Sequence, residues 1–109
     1  MKDDRIYLAH VCDAVERVET FTAGGHESFI SDPMIQDAVI RNLEVIGEAV
    51  KNLSDELRLA NPAVPWKQIA GMRDVLIHQY FGVKIETVWQ VIVGHLPLFK
   101  QHVDRLLNE

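Results

Sequence analysis

The residue types that could do chemistry are concentrated between residues 71 and 82. If this stretch is helical, Arg73 and Tyr80 lie within about 20° of each other around the helix axis. Asp74 and His78 lie within about 40° of each other, so two polar pairs occupy adjoining sectors of one helix. Histidine titrates near neutral pH and arginine keeps its charge, so this combination could perform acid–base chemistry beside an anion.

A structural role for the same residues stays open on spacing alone. Asp74 and His78 would then form a surface pair, and Arg73 would bind a neighbouring carboxylate. Tyr80 would pack its ring at the end of a helical bundle. Polar clusters on helices are usually solvated or structural, so spacing by itself favours this second interpretation.

Another polar stretch consists of Arg41, Asn42, Glu44, Glu48 and Lys51. On a helix, Glu44 and Glu48 are one turn apart, and Lys51 is within reach of Glu48. Ion pairs at such spacings are common and individually weak. We therefore expect this stretch to form a solvated face and not a site.

The remaining histidines and the cysteine do not follow a metal-site pattern. No two of the histidines have the i,i+4 spacing that places two ligands on one helix: His10, His26, His95 and His102. Cys12 is the only cysteine, which excludes an intramolecular disulfide and indicates a reducing compartment. We expect no metal ion and no cofactor.

Composition describes an ordinary globular protein. The 109 residues are 48% hydrophobic and 25% charged, with a formal net charge of -5. Proteins that coat nucleic acid are normally basic, so any contact with nucleic acid is expected at a small local site. The N-terminus lacks an apolar signal core and no apolar run could span a membrane. We expect one helical domain over residues 1–109, a cytoplasmic location and no membrane partner.

Hydrophobic spacing predicts that the first half of the chain forms two long helices. The first runs from about Asp4 to Phe21, and the glycine-containing residues 22–31 are predicted to be an exposed turn. Asp32 and Pro33 are typical of an N-cap and a first helical position. The second helix carries the most regular apolar stripe, which places it at the centre of the core. The stripe is Ile35, Val39, Leu43, Ile46, Val50 and Leu53.

The second half of the chain predicts two more helices. Ser54 is a further possible N-cap, and a third helix is expected over residues 66–79, ending near Gly82. The apolar stripe of residues 85–106 keeps its phase across Pro97, which predicts one long helix kinked at that proline. Four helices with short connections predict an all-α, antiparallel, up-down four-helix bundle.

Familiar enzyme motifs are missing, but a set of segments in fixed order carries a family resemblance. No P-loop, dinucleotide fingerprint or zinc-protease motif occurs. The segments are residues 41–49, 65–66, 72–83, 88–89 and 96–97. They contain the pattern Arg, four residues, His, one residue, Tyr, formed here by Arg73, His78 and Tyr80. Together they resemble the HepT-like branch of the HEPN superfamily over nearly the whole chain.

The resemblance implies a HEPN-like four-helix bundle that works as a homodimer and cleaves RNA without a metal. Such proteins are toxins of prokaryotic two-gene, type VII-like toxin–antitoxin modules, whose antitoxin is a minimal nucleotidyltransferase usually called MntA. His78 is then the group that moves protons at the 2′-hydroxyl or leaving oxygen. Arg73 stabilises charge on the phosphoryl oxygens, and Asp74 orients the His78 ring. Tyr80 is the implied acceptor of AMP groups that silence the toxin.

Two other functions remain compatible with the sequence. A non-catalytic helical subunit could bind nucleotide or substrate for the nucleotidyltransferase, with Arg73 holding a phosphate and Tyr80 stacking on a base. The net charge of -5 favours this alternative because it weakens general affinity for RNA. A purely structural dimerisation bundle would leave Arg73 and His78 replaceable. The complete motif favours the nuclease.

Overall fold

The regular elements are helices throughout the part of the chain that is described. A computed structural model describes residues 3–78 and 84–109, with the backbone alone for residues 73–78. The helices are α1 (Asp4–Phe21), α2 (His26–Ser31), α3 (Pro33–Lys51), α4 (Asp55–Ala60), α5 (Trp66–His78), α6 (Ile85–Gly94) and α7 (Leu96–Leu107). The all-α prediction is confirmed. No helix in the described residues has the length and apolar character needed to cross a membrane.

The long helices form a bundle in which α3 occupies the centre. It packs against α1 and α5, while α7 packs against α1 and α6. Val39, Leu43, Ile46 and Val50 of α3 are buried, as the regular stripe predicts. Ile35 is only partly buried and packs at the edge of the core.

Side-chain caps fix where α3 and α4 begin. The Asp32 carboxylate accepts a hydrogen bond from the Met34 backbone N–H at 2.9 Å, which confirms the predicted N-cap. The Ser54 hydroxyl accepts one from the Leu57 N–H at 3.1 Å and caps α4. Asp4, at the start of α1, accepts hydrogen bonds from the Ser54 backbone N–H at 2.8 Å and hydroxyl at 2.6 Å. The start of α1 is thereby tied to the start of α4.

The prediction of an exposed turn over residues 22–31 is wrong. This stretch contains α2, and its Phe29 side chain is completely buried. The side-chain amide of Gln36 donates to the Phe29 backbone carbonyl at 2.9 Å, which links α2 to α3. Gly25 precedes α2 with a φ of 91°, a conformation that favours glycine. One buried ring in a six-residue helix gives no repeating apolar pattern, so spacing could not detect it.

The last predicted helix is interrupted slightly before its proline. α6 ends at Gly94 and α7 begins at Leu96, so His95 separates them and Pro97 lies in the first turn of α7. Pro97 lacks the backbone N–H that would bond to the Val93 carbonyl four residues back, and its ring clashes with that carbonyl. The interruption is therefore caused by the proline but appears two residues earlier. The predicted end of the third helix near Gly82 lies outside the described residues.

Cys12 lies on α1, where its side chain contacts Asp104 of α7, and we expect its thiol to be unreactive. Its Sγ lies 3.5 Å from Asp104 Oδ1 and 3.6 Å from Glu16 Oε1. Burial, and then the hydrogen bond and charge of Asp104, raise the pKa of the Cys12 thiol from 9.0 to about 11. Only the thiolate is nucleophilic, so alkylation by iodoacetamide at pH 8 should be about 100-fold slower than in the unfolded chain.

Mass spectrometry of the carbamidomethylated protein, with and without urea, measures this ratio. Asp104→Asn removes the charge beside the thiol, so it should accelerate the native reaction. Equal rates in the native and unfolded proteins would contradict the raised pKa of Cys12.

Candidate active-site helix

The start of α5 is held in place by its first residue. Trp66 is buried, and its indole N–H donates to the Asn61 backbone carbonyl at 3.0 Å. The Asn61 side-chain amide in turn donates to the Leu57 carbonyl at 2.9 Å. The Trp66 ring also meets the ring of Phe99 on α7 edge-on, with centroids 6.2 Å apart. These contacts join α5 to the preceding loop and to α7.

The three predicted site residues before residue 79 all lie on α5. His78 is about 140° from Arg73 around the axis and about 7.5 Å further along it. Arg73, Asp74 and His78 therefore lie on one helix, as predicted, but Arg73 and His78 are not on the same face of it. Their side chains, and Tyr80 as a whole, lie outside the described residues.

The polar stretch of α3 only partly matches the predicted solvated face. Arg41, Glu48 and Lys51 are exposed, as expected. Asn42, by contrast, is buried, and its amide donates to the Ala38 carbonyl at 2.8 Å. The side chain of Glu44 is only 19% exposed. The prediction is wrong for Asn42 and only partly right for Glu44, which forms an i,i+3 ion pair with Arg41 but is partly buried. The reason is that α3 is covered on two sides, and the two-sided contact widens its buried sector.

A polar cleft that the sequence did not predict lies between α1 and α3. This α1/α3 cleft has a volume of about 230 Å³ and is lined by Tyr7 and His10 from α1 and by Arg41, Glu44 and Asn52 from the α3 side. Arg41 Nη1 lies 3.6 Å from Glu44 Oε2. Residues of α1 and α3 are distant in sequence, so spacing within either helix could not reveal the cleft.

An apolar groove lies between α5 and α7. It has a volume of about 300 Å³, and its walls include Ile69 and Met72 of α5, Leu98 and Phe99 of α7, and Ile46 of α3. Leu98 is 61% exposed. The groove thus runs along the helix that carries Arg73 and His78.

Potential metal ligands are scattered across the described part of the chain. Among the side chains that the structure describes, those of residues 3–72 and 84–109, no group of three or more His, Cys, Asp and Glu could hold a metal ion. His26 is engaged elsewhere: its Nε2 lies 2.8 Å from Glu86 Oε2. This pair joins α2 to α6.

Comparison with known proteins identifies the family. A family model described as Ribonuclease HepT-like matches residues 11–106. The chain belongs to the HepT-like ribonuclease family. The match covers every helix from α2 to α6 and includes Arg73, Asp74, His78 and Tyr80. The predicted resemblance and the predicted enzyme class are thereby confirmed.

Curated relatives agree with the HepT-like assignment. A protein of Caldanaerobacter subterraneus subsp. tengcongensis, named as a candidate RNase, is 44% identical, with 100% of this chain and 98% of that protein covered. A protein of Thermococcus cleftensis, named as a candidate ribonuclease HepT, is 41% identical, with 92% of each chain covered. A protein of Methanocaldococcus jannaschii, named as a gamma-glutamylcyclotransferase and candidate RNase, is 41% identical over 99% of this chain and 49% of its own length. No solved structure matches this HepT-like chain.

Proposed function

We propose that this HepT-like protein is the toxin of a prokaryotic type VII-like toxin–antitoxin module and cleaves RNA endonucleolytically without a metal ion. The observation that carries the proposal is the position of Arg73 and His78 on one continuous helix, α5. That helix packs on the central helix α3 and is fixed at its start by Trp66. A rigid element is what a catalytic pair needs, because small displacements of reacting groups cost large factors in rate.

The proposed chemistry is transesterification at one phosphodiester. His78 takes the proton of the 2′-hydroxyl, and the 2′-oxygen then attacks phosphorus. The bond to the 5′-oxygen breaks, a protonated imidazole supplies a proton to that oxygen, and the products carry a 2′,3′-cyclic phosphate and a 5′-hydroxyl. Arg73 stabilises the extra negative charge on the phosphoryl oxygens. Asp74, one turn before His78, orients the ring.

A homodimer accounts for how the two groups reach one phosphate. Arg73 and His78 are about 140° apart on α5, which is unfavourable for convergence within one subunit. A two-fold axis beside α5 brings the Arg73 and His78 of both subunits into one cleft. It also concentrates positive charge locally in a chain of net charge -5.

The test is cleavage of a 5′-labelled RNA by the pure protein in EDTA, with identification of the product ends and of the mass of the protein in solution. The proposal expects a dimer, cleavage in the presence of EDTA, and cyclic phosphate ends. If a folded, unmodified dimer fails to cleave several RNAs, the result favours a subunit that binds nucleotide for a nucleotidyltransferase.

Silencing by a nucleotidyltransferase is the second part of the proposal. In it, the antitoxin transfers AMP from ATP to the Tyr80 hydroxyl, and pyrophosphate leaves. Each AMP adds bulk and a phosphodiester charge two residues from His78, which opposes binding of RNA phosphates.

We expect intact-mass spectrometry to show AMP adducts on the wild type and their loss in Tyr80→Phe. Tyr7→Phe should be labelled like the wild type. Undiminished labelling of Tyr80→Phe would exclude Tyr80 as the acceptor.

A further inference from the structure

The α1/α3 cleft combines flat rings, a cation, a partly buried carboxylate and the exposed carboxylate of Glu48 outside the α5 motif. The Tyr7 and His10 rings meet edge-on, with centroids 6.3 Å apart and planes at 88°. Tyr7 is partly buried, whereas His10 is exposed. Across the cleft, the Arg41 side chain is 73% exposed and pairs at 3.6 Å with a Glu44 side chain that is 19% exposed. Nothing in the proposed cleavage chemistry uses these side chains.

The size of the cleft limits what it can hold. Sites for drug-sized ligands start at about 300 Å³. At about 230 Å³, the α1/α3 cleft is suited to one planar ring system and not to a complete nucleotide. Single-stranded RNA is recognised in this way: an unstacked base packs on aromatic side chains and forms hydrogen bonds along its edges.

The charged pair selects among the four bases. An arginine fork fits the two acceptors, O6 and N7, of guanine. A carboxylate is an acceptor only and needs donors. Guanine carries two adjacent donors, N1–H and the N2 amino group, whereas adenine, cytosine and uracil place acceptors beside their single donor group. Guanine is therefore the base that can engage both Arg41 and Glu44 through neighbouring edges.

We propose that the α1/α3 cleft is a guanine-binding subsite for single-stranded RNA, formed by the rings of Tyr7 and His10 and the charged pair Arg41 and Glu44. This inference rests on the proposed function, since it takes RNA as the polymer that supplies the base. α3 joins the cleft to α5, because it packs against both α1 and α5. A guanine held there fixes the register of the strand relative to the helix that carries His78.

Mononucleotides test the subsite separately from cleavage, since GMP and AMP contain no bond between nucleotides. Each is titrated into the full-length ¹⁵N-labelled protein, and the amide signals of Tyr7, His10, Arg41 and Glu44 are followed. We expect GMP to shift these signals and to bind about tenfold or more tightly than AMP. Glu44→Gln should reduce this preference to about twofold or less, because the amide replaces one of the two acceptor oxygens with an NH2 group, which is a donor and would face a guanine donor. Arg17→Ala, at an exposed arginine of α1 outside the cleft, should retain the full preference.

The outcomes separate this inference from the proposed function. Equal affinity for GMP and AMP, or shifts confined to other residues, would overturn the guanine subsite even if the protein cleaves RNA. Signals that move with protein concentration and not with nucleotide would show that a second copy covers the cleft, which also overturns it. A clear GMP preference in a protein that fails to cleave RNA would support the subsite and contradict the nuclease.

Discussion

Replacing His78 with alanine is expected to slow RNA cleavage by about 10²- to 10⁴-fold, the range that one positioned acid–base group contributes. The helix containing this residue is fixed at the opposite end by Trp66, so truncation at His78 should leave the bundle folded. Initial rates on a labelled RNA in EDTA measure the effect, and circular dichroism checks the helical content.

Chemical rescue distinguishes a proton-transfer role from a structural one. Added imidazole can enter the space left by the truncated side chain and carry the proton, so it should restore part of the rate of His78→Ala. A merely positioning histidine gives no such recovery. Wild-type rates in a pure His78→Ala preparation would refute the assignment of His78.

Arg73 offers a matched comparison on the same helix. Arg73→Ala should lower the rate of RNA cleavage by roughly 10²- to 10³-fold, which is the usual effect of removing one hydrogen-bond donor to the transition state. Arg73→Lys keeps the charge but loses the planar fork, so an intermediate rate is expected. Lys67→Ala removes an exposed cation in the first turn of α5 and should leave the rate unchanged. A similar loss in Lys67→Ala would indicate a general effect of charge on RNA affinity.

Long amphipathic helices were predictable because each repeats its apolar positions over several turns. The stripe of α3 identified four of its buried residues, Val39, Leu43, Ile46 and Val50, and Asp32 followed by Pro33 identified its start. Capping by Asp32 depends on the local chain alone, so sequence is sufficient for it. The stripe did not reveal that α3 is covered on two sides, which is why the burial of Asn42 and the partial burial of Glu44 were missed.

Sequence patterns could nominate residues for the candidate site but not their arrangement in space. The spacing of Arg73 and His78 gives their separation around α5, and the structure places both on that helix. In the proposed homodimer, the groups of the second subunit that meet them depend on a symmetry axis that no intrachain spacing encodes. The α1/α3 cleft was missed for a related reason, since His10 and Arg41 come together only through packing of separate helices.

Replacement of Phe29 with alanine should destabilise the fold by about 3–5 kcal/mol, because it removes a large side chain from a close-packed site. Phe29 is completely buried, and its ring centroid lies 5.4 Å from that of Trp89 on α6. The loss is a large share of the roughly 5–15 kcal/mol that stabilises typical domains. Urea denaturation should show a lower midpoint with an unchanged slope.

Neighbouring variants determine whether this loss comes from the buried ring or from the short helix itself. Ile30, the next residue of α2, is 44% exposed, so Ile30→Ala should change stability by no more than about 0.5 kcal/mol. Phe29→Leu keeps most of the volume and should cost about 1–2 kcal/mol, which keeps the comparison measurable if the alanine variant is unfolded. Trp89 emission should shift to longer wavelength in Phe29→Ala, since the indole loses its packing partner. Equal midpoints for Phe29→Ala and Ile30→Ala would mean that α2 contributes nothing to the core, and that the glycine-containing stretch behaves as the exposed turn its composition suggests.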